Sequence, residues 1–253
     1  MPDPIATSIA TLSKLIRESR IVAGFTGAGI STESGVPDFR SPDSPWMRNK
    51  PIPFRLFLES AEARREAWRR KFTMDDLYRH AAPTRGHLGI AAMVVAGKMP
   101  AVITQNIDNL HQASGLTEDQ VIELHGNGTY ATCLSCARHH EISAIRLRFE
   151  STGEAPCCED CGGIVKSATI SFGQAMPAEK MRAALELTLS SDLFLVLGSS
   201  LVVHPAASLP SLAKENGARL AIINREPTPL DDHADIVIAG EIGPILSKIA
   251  NDL

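Results

Sequence analysis

All five cysteines of this 253-residue chain lie between positions 133 and 161. Four of them form two Cys-x-x-Cys knuckles, Cys133 with Cys136 and Cys158 with Cys161. Four thiolates spaced this way close a tetrahedral Zn²⁺ site and leave no coordination position for a substrate. The fifth, Cys157, adjoins the second knuckle, so a register through it stays open. Gly162-Gly163 just beyond favour Cys158 and Cys161, because a knuckle turns there. One structural zinc per chain is expected. It would hold residues 131–166, which show little apolar periodicity of their own and read as a small zinc-ribbon domain.

Other class-level constraints are milder. The N-terminal stretch shows no charged region followed by an apolar one, so a cytoplasmic location is expected, and there a cysteine cluster reads as a metal site before a disulfide framework. No apolar run is long enough to span a bilayer, and no membrane association is expected. The net charge of −4 argues against a partner bound through phosphate neutralisation, as does the acidic Glu159-Asp160 inside the second knuckle, so no nucleic-acid partner is expected. Nothing sets the oligomeric state, and a monomer is the expectation.

The rest of the chain alternates. Ile5, Ile9, Leu12, Leu15 and Ile16 recur at helical spacing. Short continuous apolar runs follow at 21–25, 101–103, 193–197, 220–223 and 236–238, which suits strands buried on both faces of a parallel sheet. Helical patterns from Pro177 to Ser190 and from Ala206 to Asn216 separate some of them. An α/β, Rossmann-like doubly wound sheet is expected, with the dinucleotide-binding domain built from residues 1–40, 81–130 and 167–253. Residues 41–80, rich in Pro, Arg and aromatics, read as a helical or loop insertion.

Chemistry gathers where strands end. The first run stops at Thr26-Gly27-Ala28-Gly29, a turn that suits a phosphate if a helix follows, with Ser31 or Thr32 as its cap. It departs from the dehydrogenase fingerprint: the sixth position is Thr32, and no acidic residue closes a second strand. After the run at 101–103 the chain reads Thr104-Gln105-Asn106-Ile107-Asp108-Asn109-Leu110-His111. Amides and an acid thus collect at the carboxyl end of a strand, where open α/β sheets bind ligands. A helix cap explains Asn106 or Asp108 alone, but not the cluster. Glu123-Leu124-His125-Gly126 follows, and a histidine beside glycine has room to face a ligand and a pKa suited to a general base. His111, His139, His140 and His233 have no such context and read as surface or capping residues.

Taken in order, these pieces resemble the sirtuin family. The matching segments are 27–31, 35–40, 104–111, 123–126, the two cysteine knuckles, Phe172-Gly173, Gly198-Ser199-Ser200-Leu201 and Asn224-Arg225-Glu226-Pro227. The resemblance implies NAD-dependent removal of acyl groups, acetyl foremost, from protein lysines, with release of nicotinamide and O-acyl-ADP-ribose. It gives His125 the role of general base toward a ribose hydroxyl, with Asn106 and Asp108 around the nicotinamide and ribose. Gly27, Ala28, Gly29, Ile30, Asp38, Phe39, Arg40, Gln105 and Ile107 match the mobile cofactor loop and its surroundings. Gly198, Ser199, Ser200, Asn224, Arg225 and Glu226 match the adenosine end, with Ile242 packing on adenine. The acyl-lysine peptide would pair its backbone near Phe172, Gly173 and Val202.

Desuccinylating members carry Tyr and Arg three positions apart where Trp68 and Lys71 stand here, which favours neutral acyl groups. Arg69, Arg70 and Lys71 leave an acidic group open, and the stretch from Arg64 to Lys71 also reads as a plain solvated helix face. Two other readings stay open: a mono-ADP-ribosyltransferase on the same NAD site, and a zinc-ribbon interaction module on an NAD-sensing domain.

Overall fold

The computed structural model describes residues 4–39 and 41–252. Five of its six parallel strands coincide with the continuous apolar runs: β1 (Val22–Thr26), β2 (Val102–Thr104), β7 (Leu193–Leu197), β8 (Arg219–Asn224) and β9 (Ile236–Ala239). The sixth, β3 (Val121–Glu123), is too short to announce itself. The strand order is β3-β2-β1-β7-β8-β9, so the winding direction reverses between β1 and β7. That switch point is where an open parallel sheet leaves a crevice at its carboxyl edge.

Both faces of the sheet are covered. On one, Ile9, Leu12 and Ile16 of α1 (Pro4–Glu18) join α5 (Arg85–Val95) and α10 (Ile242–Ala250) against Val22, Leu195 and Ala221. On the other, α8 (Ala178–Ser190) and α9 (Leu209–Glu215) pack on Phe25, Ile103, Phe194 and Ile222. Every residue of β1 and β7 is buried, which explains why these strands read as unbroken apolar runs rather than alternating ones.

A second sheet of three antiparallel strands has the order β5-β4-β6: β4 (Gly126–Cys133), β5 (His139–Glu141) and β6 (Val165–Thr169). With α7 (Ile142–Thr152) it forms the cysteine module. β4 begins and β6 ends outside the segment expected from the sequence. The module also has an apolar core, and part of that core is borrowed. Trp68 and Phe72 of α4 (Ala61–Tyr78) pack with Ala131, Cys133, Ile145, Cys158 and Val165. Arg146 of α7 crosses back to grip Asp76 with two hydrogen bonds of 2.7 Å, and its guanidinium lies over Phe72. Smaller helices complete the chain: α2 (Pro45–Arg48), α3 (Phe54–Glu59) and α6 (Leu110–Ala113).

The expected helix after the glycine-rich turn does not form. Two short 3₁₀ turns, Ala28–Ile30 and Thr32–Ser34, follow β1, and Ser31 makes no side-chain cap. The glycines serve a close backbone approach instead. A Cβ on Gly27 would lie 2.7 Å from Gly198 O, and one on Gly29 would lie 2.7 Å from Gly198 Cα. Gly198 itself has φ +67, and its Cβ would meet Ile30 N at 2.6 Å. Gly198→Ala therefore combines a left-handed backbone with a backbone clash, and should cost at least about 2 kcal/mol in denaturant unfolding. Gly217→Ala is the control: φ is +93 but nothing lies within 4 Å, so about 1 kcal/mol is expected.

Candidate active site

The switch point opens into a cavity of about 1080 Å³, at the upper end of what a single small ligand needs. From the turn after β1 it is lined by Gly27, Ala28, Gly29, Asp38 and Phe39. From the end of β2 come Gln105, Asn106 and Ile107, and His125 stands just before β4. β7 and β8 supply Gly198, Ser199, Ser200, Asn224, Arg225 and Glu226, and Ile242 comes from α10. Phe172, Gly173 and Val202 stand at the rim, with Phe172 64% and Val202 48% exposed. Two expected residues are off the wall. Ile30 is buried in the core, and Asp108 lies one layer behind. Arg40 lies outside the described residues.

His125 is held by one bond with a chemical consequence. Its Nδ1 is 3.0 Å from Gln105 O. A carbonyl only accepts, so Nδ1 carries the proton and Nε2 presents its lone pair. Burial pushes the pKa of this imidazole below its ordinary value, which keeps it neutral. Gln105 is fixed in turn: its N–H donates to Thr26 O at 2.9 Å and its side-chain amide to Ser199 Oγ at 2.7 Å. The end of β2 is thereby tied across β1 to the end of β7.

Asn106 donates through Nδ2 to Gly27 O (3.2 Å) and Ser31 Oγ (3.1 Å). Ser31, which the sequence suggested as a cap, is instead a junction. It donates to Asp108 Oδ2 at 2.7 Å, and Asp108 Oδ1 accepts the Leu110 N–H at 3.0 Å. Burial raises the pKa of Asp108, while its bonds from Ser31 and Leu110 oppose the rise.

Behind this layer stand two histidines that sequence reasoning missed or misplaced. His87 was not singled out. Its Nδ1 accepts the Thr84 N–H at 3.1 Å, which turns Nε2 toward Ser31 Oγ at 3.5 Å. The only available signal was the Thr84-x-x-His87 spacing, which forms a capping box at the start of α5. From the sequence His111 reads as a surface or capping residue; it is 1% exposed. It faces inward because Asn109, at φ 63, redirects the chain into the four-residue α6, and so short a helix shows no periodicity to read. His111 Nε2 lies 2.9 Å from Thr26 Oγ1, and the two rings meet edge-on with centroids 4.8 Å apart. Burial pushes His87 down to about 4 and His111 well below the usual range, so both are neutral.

The loop over the cavity is braced locally. Asp38 accepts from the Ser41 N–H and Oγ at 2.7 and 2.6 Å. Phe39 stacks on Trp46 of α2, with centroids 4.5 Å apart.

In the cysteine module the thiols of Cys133, Cys136, Cys158 and Cys161 all lie within 4.8 Å of one another, and two pairs are 3.5 and 3.6 Å apart. A tetrahedron with Zn–S bonds of about 2.3 Å has edges of about 3.8 Å, so the four thiols fit zinc. Cys157 is outside this cluster: it is exposed, and its backbone forms an antiparallel bridge with Ile164.

The Sir2 family pattern matches residues 27–205. The chain belongs to the Sir2 family. It is 54% identical, over 98% of both chains, to an NAD-dependent protein deacetylase of Rhodopseudomonas palustris. It is 38% identical, over 95% of this chain and 93% of the other, to one of Thermodesulfovibrio yellowstonii. Among solved structures, a Sir2–p53 peptide–NAD⁺ complex superposes with a TM-score of 0.86 at 34% identity, covering 96% of this chain and 98% of that one. For this Sir2-family chain, metal analysis should find one zinc per chain in the wild type and in Cys157→Ser. In Cys158→Ser zinc should be lost, along with several kcal/mol of stability.

Proposed function

We propose that this chain removes acyl groups, acetyl foremost, from protein lysines at the expense of NAD, with nicotinamide and O-acyl-ADP-ribose as the other products. The observation that carries the reading is His125: a neutral imidazole on the cavity wall, with its proton held on Nδ1 by Gln105 O and Nε2 left free to accept one. The family's relatives named above are deacetylases, and nothing favours the transferase or sensing-module alternatives.

The division of labour follows from placement. NAD supplies the glycosidic bond whose cleavage expels nicotinamide. Ser199, Ser200, Asn224 and Glu226 take its adenosine end, with Ile242 against the adenine. The turn Gly27–Gly29 takes the middle, and Phe39 belongs to the loop that covers it; Arg40, next in sequence, is assigned to the same cofactor. Asn106 orients the nicotinamide end, its amide already fixed by Gly27 O and Ser31 Oγ. Asp108 acts through Ser31, which it holds in place. His125 Nε2 accepts a proton from a ribose hydroxyl once that sugar carries the acyl oxygen. Dry surroundings strengthen each of these contacts while charge develops at the sugar.

The peptide lies along the rim between Gly173 and Val202 as an added strand. Solved relatives bound to acetylated and propionylated peptides carry ligands of that chemistry. Zinc holds the small module (131–166) beside the insertion (41–80) and the dinucleotide-binding unit (1–40, 81–130, 167–253). Its four thiolate ligands leave it no part in the reaction. Thiolate ligation suits a reducing cytoplasm, and among the described residues no helix is long and apolar enough to cross a membrane. We take the working unit as a monomer without nucleic-acid or lipid partners.

Two measurements test this reading. An acetyl-lysine peptide should lose its acetyl group only with NAD present, with nicotinamide released in step. His125→Ala should retain zinc and fold yet turn over about 10²–10⁴-fold more slowly; wild-type-like turnover would remove His125 from the mechanism. The second is the pH profile. The active form is neutral His125, whose pKa burial lowers from 6.5. Activity should therefore hold through neutrality and fall only below pH 6.5, as the ring protonates. An acid limb centred above that value would contradict the assignment.

A further inference from the structure

The cavity has two ends. The reading above gives the β7–β8 end to the dinucleotide. The opposite arm, between α4 and β6, is left for the acyl group. α4 turns Lys71, Met74 and Tyr78 toward this arm, the i, i+3, i+7 spacing of one helix face. Asp75 is not on the lumen wall. It stands behind, its two oxygens 2.6 and 2.5 Å from Lys71 Nζ, and it is also hydrogen-bonded to Tyr78. The Lys71 and Asp75 side chains are only 16% and 23% exposed. Burial lowers the pKa of Lys71 and raises that of Asp75, and each partner's charge opposes the other's shift. The stretch from Arg64 to Lys71 also reads from the sequence as a solvated face. That holds for Arg69, paired with Glu66 outside, and not for Lys71.

From this geometry we infer that Asp75 is a positioning residue for acyl selectivity. By holding the Lys71 ammonium and the Tyr78 hydroxyl from outside the lumen, it leaves Lys71 without charge to offer a ligand. Short neutral acyl groups are then accepted, and carboxylate-bearing ones are refused. This rests on the deacylase reading. A carboxylate entering the arm would be desolvated beside a cation that already has its counter-ion, with the Asp75 charge just beyond. Among the described residues three other cations face the cavity, and all are engaged. Arg225, at the dinucleotide end, pairs with Glu241 at 3.0 Å. Arg70 is held by Glu66 at 2.6 Å. Lys166 donates to Ser167 O and Thr169 O at 3.3 and 2.5 Å.

The test compares kcat/KM for one peptide carrying acetyl-lysine or succinyl-lysine. The wild type should favour acetyl by about a hundredfold. Asp75→Asn should narrow that ratio by at least about tenfold while acetyl turnover persists. Adding Lys71→Met should restore the original ratio, whereas adding Lys166→Met should not. Asp75→Ser, smaller and open to water, carries the same expectation if the Asn variant does not fold. A wild type that treats both peptides alike overturns the inference without any variant. So does an unchanged ratio in an active Asp75 variant, or a gain abolished by Lys166→Met and not by Lys71→Met. A wild type that removes neither group in the presence of NAD overturns the deacylase reading itself, and the inference with it.

Discussion

At the seam between β1 and β7 two backbones touch with no side chain between them. Gly27 and Gly29 on one side and Gly198 on the other approach so closely that any Cβ would collide with main chain. Gly29 N–H donates to Gly198 O across the gap at 2.9 Å. Everything chemical hangs from this contact. It sets the distance between the ends of β2 and β7, which Gln105 spans to reach Ser199. The Gln105 carbonyl then decides which nitrogen of His125 carries a proton. A contact with no reactive atom of its own thus fixes the tautomer of the residue with the most reactive one.

Around that seam the polar side chains form a closed set. Thr26, Ser31, Asn106 and Asp108 use nearly all their hydrogen-bonding capacity on one another and on main chain, and His87 and His111 fill the space behind. Burial, rather than any neighbouring charge, is the main reason that the three inward histidines are neutral. A charged imidazole would have to be desolvated beside others like it. This layer is therefore polar and buried at once, a combination that an interior sustains only when its donors find acceptors. His111 Nδ1 is an exception, buried without a partner.

Where the sequence was legible, one rule operated locally. Strands buried on both faces declared themselves as branched apolar runs, and the paired knuckles marked the four thiols that the fold gathers, Cys158 among them. Polar residues at the end of β2 stood out because nothing in a buried strand calls for them. What stayed hidden depended on contacts across the chain. The glycines of 27–29 looked like a helix entry; their reason is Gly198, far along the sequence. Ser31 looked like a cap because Ser caps helices, and only the fold brings Asp108 and Asn106 to it. His111 could not be read because one left-handed residue, Asn109, decides which way it points. The borrowed core of the cysteine module was invisible for the same cause, since Trp68 and Phe72 lie in a segment that looked separate.

That borrowed core has a consequence for how the molecule would fail. α4 is a party wall. One face, through Trp68 and Phe72, closes the small module over Cys133 and Cys158; the adjacent face, through Lys71 and Met74, bounds the cavity. Damage to the four thiols would therefore be felt next door, as a room whose wall has shifted rather than as missing machinery. His125, by contrast, is tied through Gln105 to the end of β2 in the large sheet. A chain stripped of its metal would keep His125 in register and lose the wall that faces it.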